Sequence, residues 1–292
     1  MRRKLRVAYS PDSDDAFNFY AWEYGKVSVD ADVELDFHRA HIIELNHLAQ
    51  RGEFDVIGIS SAFFPRVASD YSILEVGNSV GRDFGPVLVS KDYESINDLA
   101  GKRIGVGGHP TTGSCLAVMF APKFEIVPMR FDQIADAIVD GALDAGVMIH
   151  EELLFFPEKG LRLVEDLGKR WLAEIGLPLP VGLNVVRKSL GDDLARKIAT
   201  TCQESLLWGF ENSEETIEYA STFGRGMARE HLARFSNLDT LMMRDDVRRA
   251  LPVLFARLAA AGLAPPVENF VIVESEIDRS RFENVQPAVE LE

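Results

Sequence analysis

The chain has 292 residues, enough for one large domain or two smaller ones, since domains run to roughly 100 to 200 residues. Its 47% apolar and 26% charged residues are those of a globular protein with a sizeable core, not of a disordered or membrane-embedded chain. A formal net charge of −15 disfavours nucleic acid and anionic membranes as partners, because surplus Lys and Arg bind both, so an anionic ligand needs donors placed locally.

The opening MRRKLRVAYSPDSDDAF passes from basic to acidic residues without the apolar stretch of a secretory signal, and no run reaches the roughly 20 apolar residues of a membrane span. The expected location is therefore cytoplasmic. KLRVAYS reads as a strand, followed by a helix with Phe17, Tyr20, Ala21 and Tyr24 at helical spacing and Gly25 as its stop. VELDFHRA is a second strand, HIIELNHLAQRGEF a helix closed by Gly52, and DVIGISSAFFPRVA a buried strand that turns into a helix at Ser60 and Ser61.

A second cycle of strands and helices begins at GPVLVSK and runs through GKRIGVGG, TTGSCLAVMFA, FEIVPM, DQIADAIVDGALD, AGVMIH and LRLVEDLGKRWLAEIG. LPLPVGLNVVRKSLG is an apolar strand whose two prolines suit a crossing segment better than a sheet centre. From Asp192 the pattern is helical, with Pro252 expected to kink or end its helix. The plan is α/β, then α/β, then helices, with crossings near 86–97 and 177–188. It resembles the type II periplasmic-binding-protein architecture, in which ligand lies between two lobes. Lobe 1 is expected over 1–90 and 186–292, and lobe 2 over 91–185.

Cys115 and Cys202 lie far apart without metal-ligand spacing and read as packed thiols. In GGHPTTGSCLAVMF, Thr111, Thr112 and Ser114 gather hydroxyls around a helix start whose free N–H groups suit an anion; a simple helix cap explains them about equally well. Ser60 is the first polar residue after a buried strand, and Ser61 reads as a cap. His150 ends the strand AGVMIH, where an imidazole facing a cleft can switch protonation near neutral pH, oriented by Glu151 or Glu152. A structural histidine bonded to backbone is the plainer alternative. His38, His41, His47 and His231 are expected at the surface or at caps, His109 in the hydroxyl loop or exposed on its turn, and Asp12, Asp14 and Asp15 as helix-capping carboxylates.

Taken together, AYSPDSDDAFNFYAW, GISSAFFPRVASDY, GPVLVS, GVGGHPTTGS, AGVMIHEELLFFPEKGL and LPLPVGLNVVRKSLG stand in the order and spacing of the MqnA/MqnD family. The chain resembles that family over about residues 5–200, and more loosely through its helical end. The resemblance implies a two-lobed binding-protein fold used by an intracellular enzyme of menaquinone biosynthesis. It implies a cofactor-free carbon–carbon lyase acting on cyclic dehypoxanthine futalosine, a small-molecule carboxylate, with neither redox cofactor nor metal. By the same resemblance His150 is the proton acceptor. Gly58, Ile59 and Ser60 contact substrate, as do Thr111 and Thr112 with Gly113 and Ser114 beside them. The chorismate-dehydratase branch generally lacks the strand-end histidine, which favours the lyase. A receptor that only captures a small carboxylate is the competing reading from another class, and the missing export signal argues against it.

Overall fold

The computed structural model describes residues 3–30, 32–223, 228–282 and 285; the basic start at Met1 and Arg2 lies outside them. β1 (Arg3–Tyr9) leads to α1 (Ser13–Glu23), β2 (Val33–Arg39) to α2 (Ile42–Gln50), and β3 (Val56–Ser60) to a 3-10 turn over Ser61–Arg66. The left-handed glycines Gly25 and Gly52 stand just after the two helices, as the stop signals require. β4 (Tyr71–Leu74) and β5 (Ser79–Gly81) complete this part of the chain.

The second cycle comprises β6 (Val87–Ser90), β7 (Arg103–Val106), α3 (Thr112–Phe120), β8 (Glu125–Pro128), α4 (Ile134–Val139), β9 (Ala145–Met148), the short α5 (Glu152–Phe155), β10 (Arg162–Asp166) and α6 (Leu167–Ile175). The chain then returns as β11 (Leu179–Arg187) and continues as α7 (Asp192–Glu211), α8 (Ser213–Ser221), α9 (Ala228–Phe235), α10 (Leu238–Leu241), α11 (Asp245–Ala260) and β12 (Ile272–Val273). One sheet has the order β12-β4-β11-β3-β1-β2, with β5 also on β11, and the other the order β10-β6-β9-β7-β8. Each is a mixed sheet of an α/β lobe, and the chain passes between them twice.

Alternation along the first sheet shows why it needs helices on both faces. Val7, Val56, Leu74 and Val186 pack with Phe17, Ala199 and Ile217 of α1, α7 and α8. Their neighbours Ala8, Ile57, Ile73 and Val185 pack with Leu45, Phe64 and Leu254 on the other side. A strand buried on both faces reads as a nearly continuous apolar run, which is the pattern of VIGIS.

Three expectations are corrected. β11, expected as a crossing segment, lies inside the first sheet between β3 and β4. Pro180 sits where the pairing with β5 is irregular, and the regular pairings to β3 begin at Gly182, so neither proline interrupts them. The sheets change over between Gly81 and Val87 and between Asp166 and Leu179, so β6 and most of β11 fall across the boundaries expected at 90 and 186. Finally, α11 continues past Pro252, which is exposed, so its ring stands on the outer side of the helix and not in the core.

The two passages between lobes touch each other closely. Leu167 N donates to Pro86 O at 3.0 Å, and a Cβ on Gly168 would stand 2.1 Å from Phe84 O, a spacing that only glycine permits. At the far edge of the first sheet, Glu75 is 2% exposed and accepts from Arg248 at 2.9 Å, Arg279 at 3.4 Å and Ser275 N at 2.7 Å. These bonds tie the C-terminal segment to β4.

Glu75→Ala is expected to lower unfolding free energy by about 2 to 3 kcal/mol, somewhat less than for a fully buried pair because Arg248 keeps some solvent contact. Urea denaturation measures the loss, and hydrogen exchange should quicken over 272–282. A change within about 0.5 kcal/mol would show that the carboxylate does not anchor this edge.

Candidate active site

The residues that follow β1, β3, β7 and β9 meet in one cavity, the edge at which parallel strands present ligands. It encloses about 770 Å³, its open mouth included, a size suited to a small molecule. β11 supplies part of its wall through Val181, Gly182, Leu183 and Asn184. Of the residues expected at the site, Gly58, Ile59, Ser60, Thr111, Thr112, Gly113 and His150 line this cavity; Ser114 does not.

His150 lies two residues past β9 with φ of +54°, a left-handed conformation that a non-glycine residue holds only when its surroundings fix it. Its Nδ1 donates to Asp12 Oδ2 at 2.8 Å, and its ring centroid is 4.9 Å from that of Phe131. Nε2 is buried and has no partner among the described residues. Asp12, and neither Glu151 nor Glu152, orients the ring; the Glu151 carboxylate instead accepts from Ser13 Oγ. Asp12 occupies the N-cap position of α1, yet its side chain caps nothing, being held by Ser10 Oγ and His150.

Two more carboxylates follow at once. Asp15 accepts from Ser10 N at 2.9 Å, and Asp14 pairs with His231 Nε2 at 3.2 Å. Burial, with the charges of Asp14 and Asp12 beside it, pushes the Asp15 carboxyl well above the usual carboxylate range. Burial alone would lower the His150 pKa. The Asp12 charge and hydrogen bond, with Asp14 and Asp15 behind them, outweigh it and push His150 up to about 9. Burial works against the Asp12 anion too, but His150 and the Ser10 hydroxyl prevail and bring Asp12 down to about 2. At neutral pH the pair is thus imidazolium and carboxylate, with the second imidazolium N–H buried and unpaired among the described residues, on a residue that lines the cavity.

Asp12 belongs to the first lobe and His150 to the second, so the ion pair is also a bond across the cleft. The raised histidine contributes stability that is complete below about pH 6.5 and is lost as pH rises through about 9. The depressed carboxylate contributes stability present above about pH 4 and lost as pH falls through about 2. Other bonds cross beside it. Asn46 Nδ2 donates to Pro110 O across the cleft at 3.2 Å and, within its own lobe, to Ser60 Oγ at 3.3 Å. Thr112 Oγ1 donates to Val181 O at 2.7 Å and accepts from Ala62 N at 3.2 Å.

The hydroxyl loop is wired differently from its sequence reading. Thr111 and Ser114 form a reciprocal capping box, and Ser114 Oγ also meets His109 Nδ1 at 2.9 Å. His109, whose pKa burial lowers, does not line the cavity. The Thr112 hydroxyl is a latch between lobes. What the loop leaves for a ligand is backbone: the N–H groups of Thr112 and Gly113 at the start of α3 have no partner among the described residues. Ser61 caps nothing either; its buried hydroxyl has no partner among the described residues.

Sequence reasoning missed Ser10, Asp12, Asp14, Asp15, Asn184 and His231, all of which line the cavity. His231, expected near the surface, is 1% exposed. The one local signal was SPDSDDAF, with three carboxylates in four residues at a strand end, more than one helix cap requires. His38 and His47 are exposed as expected, while His41 packs edge-on against Phe131.

Two outcomes check this wiring. The His150 ring should titrate near 9 by NMR in the ligand-free protein, and Asp12→Asn should return it toward the ordinary value near 6.5; an unmoved midpoint would detach the two groups. Thr112→Val leaves the buried Ala62 N and the part-buried Val181 O without this partner, and should cost about 1 to 3 kcal/mol in thermal or urea unfolding. Unchanged stability would mean that the latch carries nothing.

Comparison with known proteins bears on the family and the fold. A family model described as menaquinone biosynthesis matches residues 5–260. A 1,4-dihydroxy-6-naphtoate synthase of Streptomyces coelicolor is 32% identical over 271 residues, covering 89% of this chain and 95% of that protein. Its namesake in Thermus thermophilus is 32% identical over 266 residues, covering 90% and 96%. Among solved structures, a protein of Archaeoglobus fulgidus superposes with a TM-score of 0.84 at 38% identity, covering 89% of this chain and 98% of that one. The alkanesulfonate-binding protein SsuA of Xanthomonas axonopodis pv. citri, bound to MOPS, reaches 0.68 at 12% identity over 92% and 96% of the two chains, a likeness of fold alone. The fold is therefore the two-lobed periplasmic-binding-protein fold, and the chain belongs to the MqnA/MqnD family of menaquinone biosynthesis.

Proposed function

We propose that this protein is a cofactor-free carbon–carbon lyase that converts cyclic dehypoxanthine futalosine to 1,4-dihydroxy-6-naphthoate, the product for which its relatives are named. The observation that carries the reading is the Asp12–His150 pair, with Nε2 buried and without a partner among the described residues, on a residue that lines the cavity. A carboxylate-held imidazole of this kind keeps one nitrogen fixed and presents the other to substrate, the arrangement used for general acid–base catalysis.

The free N–H groups of Thr112 and Gly113 and the Ser60 hydroxyl receive the substrate carboxylate at the start of α3. This local donor set is what an anion needs in a protein of net charge −15. His150 Nε2 takes the proton whose loss starts a retro-aldol-like fragmentation, and aromatisation of the naphthoate drives the cleavage forward. Such a sequence of proton transfers asks for neither electron carrier nor metal. The partner is a small carboxylate, not nucleic acid or membrane, and the site of action is the cytoplasm. No helix among the described residues is long and apolar enough to cross a membrane.

With a pKa of about 9, roughly 1% of the ring is neutral at pH 7 in the empty site. A base of this kind makes kcat/KM rise with pH up to about 9; an acid makes it fall beyond that point. Purified protein incubated with cyclic dehypoxanthine futalosine should release dihydroxynaphthoate. His150→Asn should keep the far-ultraviolet dichroism and lose 10²- to 10⁴-fold or more in rate, as removal of a general base does. Binding without turnover would make the protein a carboxylate receptor, and a folded, active His150→Asn would leave that residue structural.

A further inference from the structure

The cavity is not chemically uniform. At the α3 wall it presents donors, the N–H groups of Thr112 and Gly113. At the α9 wall it presents mainly acceptors. Asp14 takes His231 Nε2 on Oδ1 and holds Oδ2 at 3.5 Å from Ser79 Oγ, the outer limit of a hydrogen bond. Asn184 spends its amide N–H on Gly77 O at 2.8 Å, and its Oδ1 has no partner among the described residues. His231 is 1% exposed, is packed on Phe235 with ring centroids 4.7 Å apart, and lines the cavity. Its Nδ1 is buried and likewise without a partner among the described residues.

A buried polar atom left unpaired costs about 1 to 3 kcal/mol, so this ring nitrogen calls for a ligand group. The chemistry of the corner narrows the choice. A carboxylate or phosphate oxygen would meet the Asp14 charge and the Asn184 carbonyl oxygen. An ammonium suits those two but gives the neutral imidazole nitrogen a donor only, and repels the charged ring. A hydroxyl donates to Asp14 or Asn184 and can either donate to or accept from His231 Nδ1, so it fits whichever proton state the ring holds.

We propose that Asp14, Ser79, Asn184 and His231 form a polyol subsite, which holds the hydroxyl-bearing, sugar-derived part of the substrate while the α3 wall holds its carboxylate. This rests on the lyase reading above, because it supplies a ligand with a carboxylate at one end and hydroxyls at the other. His231 and Asp14 are substrate-binding residues in this assignment, and the fragment they hold is the one that leaves.

The test compares two ligands that differ in that fragment. Cyclic dehypoxanthine futalosine carries the sugar-derived ring, and dihydroxynaphthoate lacks it. In His231→Phe, and separately in Ser79→Ala as the milder change, kcat/KM for the first should fall about tenfold or more, the loss of one hydrogen bond to a charged or buried partner. The dissociation constant for dihydroxynaphthoate should stay within about twofold of wild type, as expected where no contact is lost. In a His150→Asn background that cannot turn over, the His231 ring nitrogen signals should move with the futalosine derivative and not with the naphthoate. Equal losses for both ligands would make the corner a support of the cleft, and no loss for either would place the polyol elsewhere. Should wild-type protein bind neither ligand, the lyase reading fails by itself. The His231 signals are then followed against D-ribose, where a response keeps the subsite and silence removes it.

Discussion

An ion pair between Asp12 and His150 spans the cleft, and it sets the proton affinity of both groups. Taken apart, each group is in a poor place: both are buried, and burial disfavours the charged form of either. Together they are stable only when the lobes bring them within hydrogen-bond distance. A ligand that seats itself against Nε2 therefore meets a ring whose other nitrogen is already fixed. Any change that separates the lobes also releases the proton affinity to its ordinary value.

The neighbouring bonds extend the same logic. Thr112, Asn46 and Ser13 each place a hydrogen bond between the lobes, so polar side chains at the base of the cleft are occupied by protein. Besides the Ser60 hydroxyl and His150 Nε2, the donors left over are backbone N–H groups at the start of α3, whose direction is fixed by the helix. A site built this way loses little freedom on binding, because the groups that meet the ligand were ordered when the lobes closed. The acceptors of the α9 wall are held in the same manner, by Gly77 O for Asn184 and by Asp14 for His231.

Beyond the cleft, the C-terminal helices complete the first lobe. α7 and α8 cover one face of its sheet, and α9 brings His231 to the cavity. The Glu75 hub and the paired contacts of Arg82 with Asp239 and Asp246 fix the segments around α10 and α11 to strands laid down much earlier in the chain. The helical end is thus part of the cavity's architecture, although its sequence pattern shows only amphipathic helices.

Local chemistry determined much of this by itself. Apolar alternation marked the strands, glycines after α1 and α2 marked their ends, and the strand-end positions of Ser60 and His150 marked the cleft, because a parallel strand exposes its carboxyl end wherever it lies in the sheet. Long-range pairing decided the rest. Whether Asp12 caps α1 or orients His150 depends on a residue 138 positions away. Whether a proline strand crosses between lobes or joins a sheet depends on where its irregular pairing falls. His231 and Asp14 are 217 positions apart and meet only when α9 folds onto the first lobe. No periodicity in one sequence encodes such a meeting, since the partners share no helix turn, strand register or turn; only the packed arrangement of both lobes brings them together.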